Sequence, residues 1–486
     1  MKTHKHTMSL HSLPGELLPQ VIPWTGLAGV RLSCKTLLEC VDKLAKGVSI
    51  RLDVPSDPEH DRQAGLVALV RRLPLLTEIT IHVHAGEGSQ LDLHNLLVAG
   101  GIAPHITSLR LVGSSSSSSS SSIGNMWNAF RTLTGLRLLD LGSYPLQLSL
   151  SSLTTLTELR LESSGRYAAT TGRAMRRMPH LCALDLGHSR LGRFWAVALA
   201  PSLSLLTQLT RLALDHCFPS GPTFGGAAII APSVGCLTNL VELDFSSNVL
   251  ASEGSDALAL ALRGLPALRK LRLDHIKNVH DSLVRCLGEL ADLQELHLKE
   301  AGALPDFAGM SALEHLDISR VMPPALPDHT IVALAHLTRL DIRGIAWGQA
   351  RRLEAVAPLL PRLSALRHLN LCDNSTSDTG GTLDVIGIFA PHLPLLPTLR
   401  HLDLSCSRLV ITEVAVQMLS AMPHLTHLDL ESCCLNDAKA AILMPALAAM
   451  TGLRHLNLRR NDHIGPEAMA AILMQRRHPM LNLQHE

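Results

Sequence analysis

The sequence predicts an α/β solenoid: a parallel sheet built one strand per repeat on a concave face, with helices on the convex face. Three observations predict it. The phrase L-x-x-L-x-L, as in LRHLDL at 399–404, occurs in 15 strict or loose copies between residues 76 and 458. The first residues of successive copies are spaced by 20 to 33 residues, a fixed phrase at a solenoid period. Within each copy the apolar fourth and sixth positions alternate with polar third, fifth and seventh positions, the period of a strand with one buried face. One repeat cannot bury its own leucines. Stacked neighbours can, and so share a single continuous core.

This phrase and period identify the chain, by resemblance, as a member of the leucine-rich-repeat proteins. The run NDHIGPEAMAAIL at 461–473 resembles the ribonuclease-inhibitor-like class of repeat. The resemblance implies a right-handed horseshoe and a protein-binding role.

Taken in order, residues 1–12 form a polar tail bearing His4, His6 and His11, expected to be disordered. Residues 13–44, LPGELLPQVIPWTGLAGVRLSCKTLLECVDKL, resemble the F-box, a helical motif that docks on the adaptor subunit of SCF-type ubiquitin ligases. The matching residues of the first half are Leu13, Pro14, Glu16, Leu17, Leu18, Val21 and Ile22. Leu13-Pro14 is an apolar anchor followed by a helix-starting proline. Leu17, Leu18, Val21 and Ile22 then line one helical face. Pro19 and Pro23 interrupt that helix. The same segment also reads as a helical cap over the first repeat, which a solenoid needs. The resemblance implies an adaptor-docking set of Leu13, Pro14, Glu16, Leu17, Leu18 and Ile22.

Residues 45–486 are read as the solenoid, with a first strand at 49–54 and a helix at 63–72. Nine consecutive serines at 114–122 form a solvated, disordered insertion. Where the spacing is near 28 residues a convex helix fits, with helices expected at 255–263, 412–421, 437–444 and 466–474. Where it falls to 20, between 136 and 156 and between 293 and 313, the return must be tight or 3₁₀. The chain closes with MLNL at 480–483, half a repeat whose strand edge is either exposed or paired with a partner.

Lys+Arg number 43 against Asp+Glu 42, a net charge of +1, so no global field favours nucleic acid or an acidic membrane. The ten cysteines contain no C-x-x-C pair and read as reduced thiols of an intracellular protein. Cys217 and Cys433 share the ninth repeat position with Asn248, Asn374 and Asn461, where the side chain is expected to bond buried backbone as the chain leaves the strand. The N-terminus lacks the apolar core of a secretory signal, and no apolar run reaches membrane-spanning length. A cytoplasmic location is expected, with the nucleus and the ciliary axoneme as alternatives.

Alternation directs the third, fifth and seventh positions of every strand onto the concave face. The fifth-position column holds Asp140, Asp185, Asp244, Asp317, Asp341, Asp403 and Asp429, with Arg110, Arg160, Arg272 and His297 among them. The third-position column reads His315, Arg339, His368, His401, His427 and His455. With Glu431 and Arg459 at seventh positions, His315, Asp317, Arg339, Asp341, His368, His401, Asp403, His427, Asp429, Glu431, His455 and Arg459 make the candidate partner-binding patch. The same aspartates also have a structural reading, as bonds between closely stacked strands. Zinc wants convergent tetrahedral ligands, which a flat ladder supplies poorly, so no metal is expected. No phosphate-binding loop, H-E-x-x-H or G-x-S-x-G motif occurs. Ribonuclease-inhibitor-like repeats do occur in GTPase activators, but no Arg or Asn is singled out for that chemistry.

The expectation is therefore a non-enzymatic, cofactor-free protein-binding chain, monomeric outside its complex. In the first reading it is an F-box-type substrate-recognition subunit. Its protein partners are then a ligase adaptor at 13–44 and a substrate protein on the concave face, with no nucleic acid and no membrane. In the second it is a cytoskeletal or axonemal scaffold in which 13–44 is only a cap.

Overall fold

The computed structural model describes residues 47–52, 76–83, 93–112, 128, 130–142, 152–162, 168–189, 192–218, 225–276, 279–321, 333–345, 351–374, 384–474 and 482–484. The F-box-like segment with all six of its docking residues, the polar tail, the helix expected at 63–72 and the serine run lie outside the described residues. The chain divides into two compact units, Met1–Cys217 and Phe218–Glu486.

The first unit carries seven described strands: β1 (Gly47–Leu52), β2 (Glu78–Val83), β3 (Ser108–Val112), β4 (Leu138–Asp140), β5 (Glu158–Arg160), β6 (Ala183–Asp185) and β7 (Arg211–Ala213). Each pairs in parallel with the next, in register by repeat position: Leu139 faces Leu159, and Leu159 faces Leu184. The returning helices are α1 (Leu93–Ala99), α2 (Ala168–Met175) and α3 (Gly192–Leu203).

The second unit contains β8 (Glu242–Asp244), β9 (Lys270–Arg272), β10 (Glu295–His297), β11 (His315–Asp317), β12 (Arg339–Asp341), β13 (His368–Asn370), β14 (His401–Asp403), β15 (His427–Asp429), β16 (His455–Asn457) and β17 (Asn482–Gln484). These too pair in parallel in chain order. The half repeat at the C-terminus therefore supplies a strand, β17, laid against β16. The helices are α4 (Gly226–Val234), α5 (Ser252–Arg263), α6 (Asp281–Gly288), α7 (Arg351–Val356), α8 (Val385–Phe389), α9 (Glu413–Ser420), α10 (Asp437–Ala449) and α11 (Pro466–Met474).

The strands are short because the phrase is. Its first, fourth and sixth leucines point inward, and in β9, β15 and their neighbours they are essentially inaccessible, as with Leu268, Leu271, Leu273, Leu425, Leu428 and Leu430. Each such side chain contributes about 1.5–3 kcal/mol on burial. Phe245 stacks on Phe218 with ring centroids 5.6 Å apart, and Phe307 and Phe389 fill the interior elsewhere. Small residues set the helix spacing. A Cβ on Gly264 would lie 2.8 Å from the Gly235 carbonyl oxygen, and one on Gly235 would lie 3.1 Å from the Ala261 Cα.

Loop length decides the return path. The 20-residue repeat from 293 to 313 returns through a 3₁₀ turn, Phe307–Gly309, whose Asp306 side chain accepts from the Ala308 amide. The helix expected at 437–444 instead runs through Pro445 to Ala449. An internal proline costs about 3 kcal/mol, but stopping at Met444 would leave Ala446 and Leu447, both buried, out of the core.

The ninth position does what its residue types imply. Asn461 Oδ1 accepts from the Cys433 and Leu435 amides, each at 3.0 Å, while its Nδ2 donates to the Leu430 and Leu458 carbonyls at 2.9 and 3.0 Å. Asn248 accepts from the Phe218 amide at 2.7 Å, and Asn374 donates to the Ile342 and Leu371 carbonyls. Cys217 and Cys433 do a smaller version of this, donating an S–H to the Leu186 and Leu404 carbonyls. The eight described cysteines are free thiols. Burial raises the Cys433 thiol well above its ordinary range and holds the Cys372 and Cys286 thiols up at about 12 and 11.

Candidate functional site

The register converts sequence columns into rows of neighbouring side chains. In the second unit the third positions run Glu242, Lys270, Glu295, His315, Arg339, His368, His401, His427, His455, Asn482, each facing the next across one pair of parallel strands. The fifth positions run Asp244, Arg272, His297, Asp317, Asp341, Asn370, Asp403, Asp429, Asn457, Gln484. The outward face of this sheet has two chemically different parts.

The first is an imidazole ladder. His368, His401, His427 and His455 stack ring on ring, with centroids 4.0, 3.8 and 4.1 Å apart and planes within 20°. Partial desolvation first, then the mutual repulsion that protonated neighbouring rings would exert, with Arg339 or Arg454 adding to it, hold His401 and His427 down to about 4. His368 is lowered too, by burial and then by Arg339. At neutral pH these are uncharged, polarisable plates. The fifth-position residues beside them face their own backbone: Asp403 Oδ1 accepts from the Ser405 amide at 2.8 Å, Asp429 from Glu431 at 2.9 Å and Asn457 from Arg459 at 3.1 Å. The same turn bond recurs at Asp244, Asp317 and Asn370 here, and at Asp140 and Asp185 in the first unit. The aspartate column is thus largely a strand-end cap, with one oxygen of each residue committed to the fold. Asn457 also donates to Asp429 and Glu431, at 2.9 and 3.1 Å.

The second part, on β9–β12, is a charged cluster centred on Glu295, which sequence reading passed over. Its Oε1 lies 2.8 Å from His297 Nε2 and 3.6 Å from His315 Nδ1, and its Oε2 lies 3.0 Å from Lys270 Nζ. The far nitrogens of the two imidazoles meet carboxylates. His297 Nδ1 is 3.8 Å from Asp317 Oδ2, and His315 Nε2 is 3.0 Å from Asp341 Oδ2, which also accepts from Arg339 Nε at 2.8 Å. Burial opposes ionisation of Glu295, yet bonds from His297 and Lys270 hold its carboxyl down at about 2. Burial also works against charge on His297, but its bonds to Asp317 and Glu295 prevail and raise it. Asp341 is lowered because His315 and Arg339 outweigh its burial. Among the described residues, Glu295, His297 and His315 form one group able to hold a metal, and His188, Asp215 and His216 of the first unit form another.

A further column escaped the sequence altogether. From the repeat at 181 onward the eighth position is left-handed: His188 and His216 in the first unit, and Ser247, His275, Glu300, Arg320, Asp373, Cys406, Ser432 and Arg460 in the second, lie at φ between 52° and 60°. In the second unit the amides of Ser247, His275, Glu300, Arg320, Asp373, Cys406 and Ser432 donate to the carbonyl of the next repeat's seventh position, as Cys406 does to Glu431 at 2.8 Å. This bond is available only with the chain turned left-handed, so non-glycine residues accept about 1 kcal/mol of strain to make it. The side chains form a half-buried ionic row: His275 to Glu300 at 2.9 Å, Glu300 to Arg320 at 3.2 Å and Arg320 to Asp373 at 2.9 Å.

A fold of stacked L-x-x-L-x-L strands with asparagine- or cysteine-plugged turns defines the class. A family model described as a leucine-rich repeat region matches residues 113–456, and one described as a leucine-rich repeat matches 450–473. The chain belongs to the leucine-rich-repeat family. No curated protein matches it. Solved structures similar to it include a leucine-rich-repeat protein of Leptospira interrogans, at 15% identity and TM-score 0.42, over 89% of this chain and 100% of that one. An internalin of Listeria monocytogenes is similar at 16% identity and TM-score 0.39, over 88% of this chain and 95% of that one. A chain of the mouse RP105/MD-1 complex is similar at 19% identity and TM-score 0.40, over 86% of this chain and 61% of that one.

Proposed function

We propose that this chain is a protein-recognition module that captures a polypeptide segment on the outward sheet face of its second unit, and performs no chemistry itself. The observation that carries this reading is the imidazole ladder. Four aligned rings, half-buried at His368, His401 and His427 and exposed at His455, form a pre-ordered surface. Flat rings of low side-chain entropy suit contact with aromatic or backbone amide planes. The flanking Asp403, Asp429, Glu431 and Arg459 supply polar selection. The finer reading is an F-box-type subunit with repeats of the ribonuclease-inhibitor-like class, working in the cytoplasm. There Leu13, Pro14, Glu16, Leu17, Leu18 and Ile22 dock a ubiquitin-ligase adaptor and the sheet face holds the substrate; its support is the L-P-x-E-L-L pattern.

A pull-down with the ligase adaptor tests the finer reading by comparing the wild type with the Leu17→Asp/Leu18→Asp double variant. Binding by the wild type and not the variant supports it. Failure of both, with the repeats folded by circular dichroism, removes the ligase role and leaves a repeat scaffold. For the sheet face, crosslinking from cells with His401→Ala/His427→Ala beside the wild type is decisive. Identical captured partners would end the ladder assignment.

A further inference from the structure

We propose that Glu295, His297 and His315 form a binding site for one divalent transition-metal ion, zinc by the chemistry of its donors, on the outward face of β10 and β11. Two imidazoles and one carboxylate are a donor set that zinc accepts in sites keeping a fourth position open. Three protein ligands around zinc, with bonds near 2.1 Å, lie roughly 3.3 Å apart at the tetrahedral angle. The separations from Glu295 Oε1, 2.8 Å to His297 Nε2 and 3.6 Å to His315 Nδ1, bracket that value. The third separation, between the two imidazole nitrogens, is within 4.8 Å.

The outer arrangement supports the same assignment. Zinc-ligating histidines nearly always donate their second ring N–H to a carboxylate or carbonyl, which fixes the tautomer and raises ligand basicity. Here His315 does so toward Asp341 at 3.0 Å, and the second nitrogen of His297 faces the Asp317 carboxylate at the ion-pair distance of 3.8 Å. Metal binding then displaces the proton that His297 Nε2 shares with the Glu295 carboxylate, as ligation by imidazole requires. The side chains of His297, Glu295, Asp317 and Asp341 are 13%, 16%, 18% and 7% exposed, so the positions are held by packing. His188, Asp215 and His216 lack this frame: their imidazoles are 60% and 51% exposed, and among the described residues neither ring meets a second carboxylate.

The charges facing the group leave room for a cation. Glu295, Asp317, Asp341 and Asp274 are negative, against Lys270, Arg272 and Arg339. Lys270 occupies Glu295 Oε2 and leaves Oε1 for the metal. Arg272, 3.6 Å from Oε1 and 43% exposed, is free to swing into solvent. The contrast with the imidazole ladder is instructive. Stacked rings four repeats long are parallel, whereas His297 and His315 sit at 71° to one another and can point at a common centre. That difference arises because one comes from a fifth position and the other from a third.

The test uses the full chain and zinc alone at pH 7.5, titrated against a chromophoric chelator. One equivalent is expected to bind more tightly than the remaining surface histidines. His297→Asn and His315→Asn should each abolish that equivalent, Asp341→Asn should weaken it 10- to 100-fold, and His188→Asn/His216→Asn should leave it intact. X-ray absorption of the loaded wild type should show two imidazoles with oxygen ligands, a readout independent of any variant's folding. Absence of a tight equivalent, its survival in His297→Asn, or a shell of three or more imidazoles would each overturn the assignment.

Discussion

Acidification of the imidazole ladder is the most informative perturbation, because the same rings form the proposed recognition surface. In the unfolded chain His401 and His427 titrate at their ordinary value near 6.5, whereas in the fold they are held at about 4. The neutral form is therefore the one the fold favours. Above pH 6.5 both states are unprotonated and the full stability is present. Between pH 6.5 and 4 the unfolded chain takes up protons the folded chain refuses, and stability falls with pH. Unscreened, a depression of this size is worth about 3 kcal/mol per ring. Solvent reaches these rings, and screening reduces the figure to roughly 1 kcal/mol each. A loss of about 2 kcal/mol between pH 7 and 4.5 is thus expected from the two central rings. The rings titrate as a coupled set, so the measurement should resolve the ladder as a whole. Histidine-selective NMR, assigned through single His→Gln variants, reads the titration, and urea unfolding reads the stability. In His455→Gln the midpoint of His427 should rise, because a neighbouring positive charge is removed. His401 and His427 titrating near 6.5, with stability flat to pH 5, would refute the reasoning.

Three further outcomes follow from the repeat architecture. Asn461→Ala strips partners from two buried amides and two carbonyls at about 1–3 kcal/mol each before water relieves them, so a loss of about 3–4 kcal/mol is expected by urea unfolding, with faster exchange of the Cys433 and Leu435 amides; Cys433→Ala, which frees the Leu404 carbonyl, should cost about 1 kcal/mol. Ser432, at φ 53°, should gain up to about 1 kcal/mol on replacement by Gly and lose more than that on replacement by Val, as thermal melts of the two variants would show. Leu402→Asp buries an unpaired carboxylate between the Leu369 and Leu428 rows; it should unfold the surrounding repeats at neutral pH, seen as lost amide protection from β13 to β15, and equal protection in variant and wild type would contradict the core assignment.

The family, the strand positions and the ninth-slot plugs were legible in the sequence because they depend on period and side-chain type. A leucine every few residues at a fixed offset admits one economical burial, and an asparagine where the chain turns off a strand has few other uses. The same holds for α11, which spans the residues 466–474 that the repeat spacing marks. The extent of α10 was not legible: proline propensity argues for a stop at Met444, and burial of Ala446 and Leu447 overrides it.

The site was half legible. Columns follow from alternation alone, so His368, His401, His427 and His455 could be named as neighbours before any coordinate was known. Ring stacking, the aspartates' commitment to their own strand ends, the left-handed eighth position and the convergence on Glu295 could not. Each depends on how side chains from different repeats are rotated against one another, a quantity with no trace in a one-dimensional pattern. Sequence determined which residues lie side by side. Tertiary structure decided which of them point at each other, because stacking in register brings a third-position imidazole and a fifth-position imidazole, 18 residues apart, around the same carboxylate oxygen.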